Sequence, residues 1–156
     1  MAENLIFDEK EVAFLKELIR NGVPFMIVGL SAAALQGAPV VTQDVDLWFE
    51  DLEHPGIAAA LKKVGGSYIP PVMQNPPMLA GDAVNLFDIV VHMHGLGSFR
   101  EEARDAIQVP LGRFKLKVLG LERIIDSKRA LGREKDKIVM NVLSDALIAI
   151  RSGQKK

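Results

Sequence analysis

F-M-I-V-G-L-S-A-A-A-L-Q-G-A-P-V-V-T-Q-D-V-D-L-W-F-E, from Phe25 to Glu50, reads as strand, turn, short helix, loop and strand. Phe25 to Val28 is a continuous apolar run of strand formers, and Gly29 breaks it where the backbone must turn with no Cβ in the way. Ser31 opens a run of alanines, Ala32 to Ala34, that favours a helix, and Gly37 and Pro39 end it. Val45, Leu47 and Phe49 then alternate with Asp44, Asp46 and Trp48. A period of two puts both aspartates on one face of a strand, roughly 7 Å apart along it, within reach of one ion or two neighbouring ions.

Downstream, Val84 to His92 reads as a further strand with Leu86, Asp88, Val90 and His92 on one face. A carboxylate in so apolar a strand is costly unless it is paired, hydrogen-bonded or metal-bound, so Asp88 is informative. His92 and His94, two apart, offer a separate metal-binding reading, set against a plain polar exit from the strand. A helical segment V-L-G-L-E-R-I-I-D-S-K-R-A-L-G-R-E-K-D-K runs from Val118 to Lys137. Gly132 interrupts it, with Lys128, Arg133 and Lys135 around the break and Asp136 within pairing distance of any of them.

This order of glycine turn, D-x-D strand, acidic strand and basic helix resembles the nucleotidyltransferase fold of the polymerase-beta-like superfamily. It is most similar to small bacterial nucleotidyltransferase-like proteins, many of them parts of toxin-antitoxin or abortive-infection systems. The resemblance implies an α/β (α+β) domain: a short mixed sheet carrying three aspartates, flanked by helices, with a C-terminal helical segment. It implies magnesium or manganese held by Asp44, Asp46 and Asp88, with Asp88 completing the acceptor-side site or helping to deprotonate the nucleophile. It implies a nucleoside triphosphate as substrate, with Gly29 and Ser31 at the turn and Lys128, Arg133 and Lys135 neutralising phosphate. The acceptor would be a hydroxyl on RNA, a protein or a small molecule. The alternative is a catalytically inactive member acting as a binding partner, for example one component of a toxin-antitoxin pair. Leu30 stands where the family prefers Gly or Ser, and Pro39-Val40-Val41-Thr42 lacks the arginine of many relatives.

The 156 residues fit one domain, residues 1–151, with residues 152–156 as a disordered tail, and 49% hydrophobic residues suffice for a core without staples. Cysteine is absent, which excludes disulfides and zinc-thiolate sites. The N-terminus lacks the basic region and apolar core of a signal peptide, and no apolar stretch is long enough to span a bilayer, so a cytoplasmic protein is expected. A net charge of -1 gives no global attraction for nucleic acid. Yet residues 1–99 hold 5 Lys and Arg against 12 Asp and Glu, and residues 100–156 hold 14 against 8. The acidic half suits metal ligation and the basic half phosphate, unless the two are simply complementary surfaces.

Among the remaining elements, Asp8 and Glu11 have capping-box spacing for a helix closed by Asn21-Gly22, and Pro55 starts another that runs to Val64. Ile69 to Met78 holds four prolines and reads as a loop. Ser98 and Glu101 cap a helix to about Ala106, and Ile107 to Pro110 and Phe114 to Leu119 form a hairpin. A last helix from about Glu134 carries Ile138, Val142, Leu143, Ala146, Leu147 and Ile150 on one broad stripe.

Overall fold

The computed structural model describes residues 7–154. Met1 to Ile6, on which the expectation of no leader falls, and Lys155 and Lys156 of the expected tail lie outside the described residues. The elements are α1 (Glu9–Arg20), β1 (Phe25–Val28), α2 (Gly29–Leu35), β2 (Val45–Phe49), α3 (Pro55–Val64), β3 (Ser67–Ile69) and β4 (Met78–Ala80). They continue with β5 (Phe87–Val90), α4 (Phe99–Ala103), β6 (Ile107–Leu111), β7 (Phe114–Val118), α5 (Leu121–Leu131) and α6 (Glu134–Gln154). Five strands form one mixed sheet in the order β5-β2-β1-β7-β6. β2 runs antiparallel to β1 and parallel to β5, and β1 is parallel to β7.

Strand alternation sorts the core onto two faces. Phe25, Ile27, Leu47, Phe49 and Phe87 share one, where the ring of Phe14 from α1 lies 5.5 Å from that of Phe87. α3 packs beside α1. Met26, Val28, Asp46 and Trp48 share the other face, where Trp48 meets Phe99 of α4 edge to face at 5.5 Å. α5 packs against α2 on one side and along α6 on the other, and Leu143 and Ala146 of α6 are buried. Both expected capping boxes form, at Asp8 with Glu11 and at Ser98 with Glu101. Among the described residues, no helix is long and apolar enough to cross a membrane.

Several boundaries differ from expectation. α2 starts at Gly29 rather than Ser31. The strand expected over Val84 to His92 is confined to Phe87–Val90, because the amides of Val84 and Asn85 both turn back to the carbonyl of Gly81. α4 ends at Ala103. Ile69 and Met78, expected as loop ends, are paired in the antiparallel ribbon of β3 and β4, leaving the prolines in the connection between them. Ser152 to Gln154 continue α6 rather than opening a disordered tail. The stripe expected on α6 divides: Ile138 is 73% exposed while Leu143 is buried, because α5 covers only a narrow side of the helix.

Gln36, next to the end of α2, ties that helix to the start of α5. Its Nε2 donates to the carbonyls of Ala32 at 3.0 Å and Leu119 at 2.8 Å, and its Oε1 accepts from the amide of Leu121 at 2.9 Å. α5 has no side-chain cap of its own at Gly120, so a residue 85 positions away caps it. Gln36→Leu strips these bonds and leaves a helix-end amide without its partner. The expected loss is about 2 kcal/mol in urea unfolding, with the circular dichroism of the folded state unchanged.

Candidate active site

The register of the sheet decides which acids meet. In β2, Asp46 is the partner of Val28 in β1 on one side and of Asp88 in β5 on the other. In-register residues of parallel neighbours are about 4.8 Å apart at the backbone and point to the same face, so the two carboxylates stand side by side. Asp44 sits one residue ahead of β2, and its carbonyl accepts a hydrogen bond from the hydroxyl of Thr42 at 2.7 Å. Burial first and then Asp88 push the Asp46 carboxyl up to about 6, against an opposing pull from Lys128 that exceeds the further push from Asp44. Burial and the charge of Asp44 also raise Asp88. Asp46 and Asp88 therefore crowd one end of the sheet without enough positive charge to settle them, with Asp44 exposed just ahead of β2.

Gly29 makes that crowding possible. Its φ is +71°, and a Cβ placed on it would lie 2.5 Å from Oδ2 of Asp46. The glycine expected to admit a phosphate instead admits the aspartate itself, and any larger residue would displace the carboxylate. Ser31, expected at the phosphates, is buried and donates its hydroxyl to the carbonyl of Val28 at 2.9 Å. A helical serine finds a backbone acceptor one turn back, so its hydroxyl is turned into the fold.

Beside Asp46 lies a cleft of about 300 Å³. Gly29 and Asp46 line one side, Lys128 and Arg133 the α5 side, and His92 and His94 the third. Lys135, expected to join the other two bases, is exposed and does not line the cleft. Lys128 and Arg133 are held by Asp136, which is 1% exposed: Lys128 Nζ is 3.5 Å from its Oδ1 and Arg133 Nη2 donates to the same oxygen at 3.0 Å. These bases hold the Asp136 carboxyl down at about 2. A larger cavity, about 620 Å³, lies near the start of α5 between Leu35, Ile107 and Ile150, and none of the aspartates above lines it.

Two features lay beyond the sequence reading. His92 and His94 were candidates for a metal pair, but their rings, 6.1 Å apart, form a wall of the same cleft as Asp46. Among the described residues no group of three or more His, Asp or Glu side chains is already placed to hold an ion. Glu102, visible in sequence only as part of a capped helix, is buried and takes the fork of Arg123 at 2.8 Å on each oxygen, while accepting the amide of Gly97 at 2.9 Å. It anchors α5 to the loop after His94. No local pattern links residues 21 apart, so nothing in the sequence signalled the pair.

No family model matches the chain, and no curated protein matches it. Solved structures that match include the crystal structure of ANT(2")-Ia in complex with adenylyl-2"-tobramycin. That likeness covers 85% of this chain and 94% of the other at 16% identity, with a TM-score of 0.47.

Two outcomes follow from the carboxylate geometry. Because the folded pKa of Asp46 is raised, its ionisation opposes folding: stability is lost as pH rises from about 4 to about 6. Asp46→Asn removes this penalty, so its melting temperature should exceed that of wild type at pH 7.5, with the gain shrinking as pH falls below 6. Gly29→Ala should be destabilising, and less so in an Asp46→Ala background, where only the backbone cost of about 1–2 kcal/mol remains.

Proposed function

We propose that this chain is a metal-dependent nucleotidyltransferase that moves a nucleoside monophosphate from a triphosphate to an acceptor hydroxyl. The observation that supports it is the in-register pairing of Asp46 with Asp88, with Asp44 just ahead of β2, and the cleft that Asp46, alone of the three, lines opposite Lys128 and Arg133. Hard carboxylate oxygens that repel one another suit magnesium or manganese, which takes one or two protein carboxylates and completes its shell with water and substrate phosphate. That substrate contribution answers the lack of a ready cluster of three donors among the described residues. Asp44, Asp46 and Asp88 would hold the metal, which when bound supplies positive charge to the reacting phosphate and its leaving group.

The chain's own residues would do the rest. Lys128 and Arg133 neutralise the oxygens of the β- and γ-phosphates, and Gly29 keeps the backbone out of the carboxylate's way. The acceptor oxygen attacks the α-phosphorus, the bond from that phosphorus to the bridging oxygen breaks, and pyrophosphate leaves. Asp88, the more exposed member of the in-register pair, takes the hydroxyl proton directly or through water. RNA, a protein and a small molecule remain open as acceptors, with the cytoplasm, where triphosphate is plentiful, as the compartment.

A second reading keeps the fold without catalysis, as a protein-binding partner such as one half of a toxin-antitoxin pair. The ribbon of β3 and β4 favours it: Ser67 to Ala80 carries no charged residue, Met73 is 99% exposed, and Ile69, Val72 and Met78 are exposed with it.

Calorimetric titration of magnesium with each nucleoside triphosphate separates the two. Wild type should bind, and Asp46→Ala should lose tenfold or more, about 1.4 kcal/mol. Binding should also weaken below pH 6, where Asp46 takes up a proton. Failure of wild type to bind any triphosphate with magnesium would leave the partner reading.

A further inference from the structure

Asp136 is as deeply buried as any polar side chain among the described residues, yet neither of its oxygens is idle. Oδ2 accepts from the backbone amide of Arg133 at 3.2 Å and from Arg133 Nε. Oδ1 accepts from Arg133 Nη2 at 3.0 Å and faces Lys128 Nζ at 3.5 Å. The two cations it grips are the two that line the cleft beside Asp46. Among the described residues each keeps donors in reserve: Arg133 retains Nη1 and one N–H of Nη2, and the Lys128 ammonium, with three N–H groups, makes an ion pair to Asp136 alone.

We infer that Asp136 is the positioning residue of a two-cation clamp for a polyphosphate, buried behind the cleft and touching no ligand. Long basic side chains lose rotamer freedom when an anion captures them. Asp136 has already taken that freedom from Lys128 and Arg133, so the clamp is set before the anion arrives. The inference rests on the nucleotide reading for the identity of the anion, whereas the clamp itself needs only linked phosphates. Asp136 is also the third residue of α6 and accepts from the amide preceding that helix, which is a capping contact. A capping role alone would affect stability and leave anion affinity untouched.

The test is calorimetric titration of tripolyphosphate, with no divalent metal, into wild type, Asp136→Asn, a Lys128→Met/Arg133→Met double variant and the triple variant. Asparagine keeps the shape and one acceptor oxygen for the helix amide, and thermal melts confirm each fold. Asp136→Asn should weaken binding about tenfold in the wild-type background and not at all in the double-variant background. Removing a negative charge without any positioning effect would instead tighten binding, so unchanged or tighter binding overturns the inference. So does an equal loss in both backgrounds, or a wild type that binds no tripolyphosphate.

If Asp136→Asn does not fold, wild type still decides by NMR. The Nε–H of Arg133 should be protected from solvent exchange and should shift on adding tripolyphosphate; rapid exchange like that of a free arginine overturns the clamp. A clamp that binds tripolyphosphate while Asp46→Ala leaves magnesium-triphosphate binding intact would separate the two ideas, sinking the nucleotidyl-transfer reading alone.

Discussion

A half-buried carboxylate pressed against a second carboxylate is an unfavourable arrangement, and the organisation of this protein follows from how Asp46 is kept in it. The β2–β5 register brings Asp88 alongside, and the turn at Gly29 leaves room for Oδ2 that any Cβ would take. Lys128 offers only partial relief, since it is shared with Asp136. The sheet core, with Phe14 against Phe87 on one face and Trp48 against Phe99 on the other, holds the strands so that the acids cannot move apart. Stability is surrendered at one strand end and recovered across the two packed faces.

The charge arrangement extends from that point in alternation. Asp44, Asp46 and Asp88 stand at the strand ends, Lys128 and Arg133 across the cleft, and Asp136 behind them. One acid of the first half, Asp46, and two bases of the second, Lys128 and Arg133, therefore meet at one cleft. Their complementarity is local, and a net charge of -1 conceals it. Glu102 repeats the device nearby, fixing Arg123 and the loop after His94 with a single buried carboxylate.

What the sequence disclosed was periodic or local. The apolar run of Phe25 to Val28, the alternation around Asp44 and Asp46, the capping boxes at Asp8 and Ser98 and the break at Gly132 each follow from rules acting over a few residues. What stayed hidden depended on direction or distance. Ser31 lies in the turn-and-helix segment the pattern predicts, but its hydroxyl turns back to Val28, a direction that no sequence pattern carries. Val84 and Asn85 continue the alternation of the following strand, but their amides turn back to the carbonyl of Gly81. The Gln36 cap on α5 and the Glu102–Arg123 fork join residues far apart in the chain, which no periodicity can register. His92 and His94 were legible as a pair, yet their place across from Lys128 depends on where β5 ends.

The most direct measurement is the carbon NMR titration of the Asp46 side-chain carboxyl with and without magnesium. The crowding described above requires a midpoint near 6 in the metal-free protein and a marked fall when magnesium and a triphosphate are added. A midpoint near 4 that magnesium and triphosphate leave unmoved would contradict it, and with it the claim that these strand ends are built for a cation.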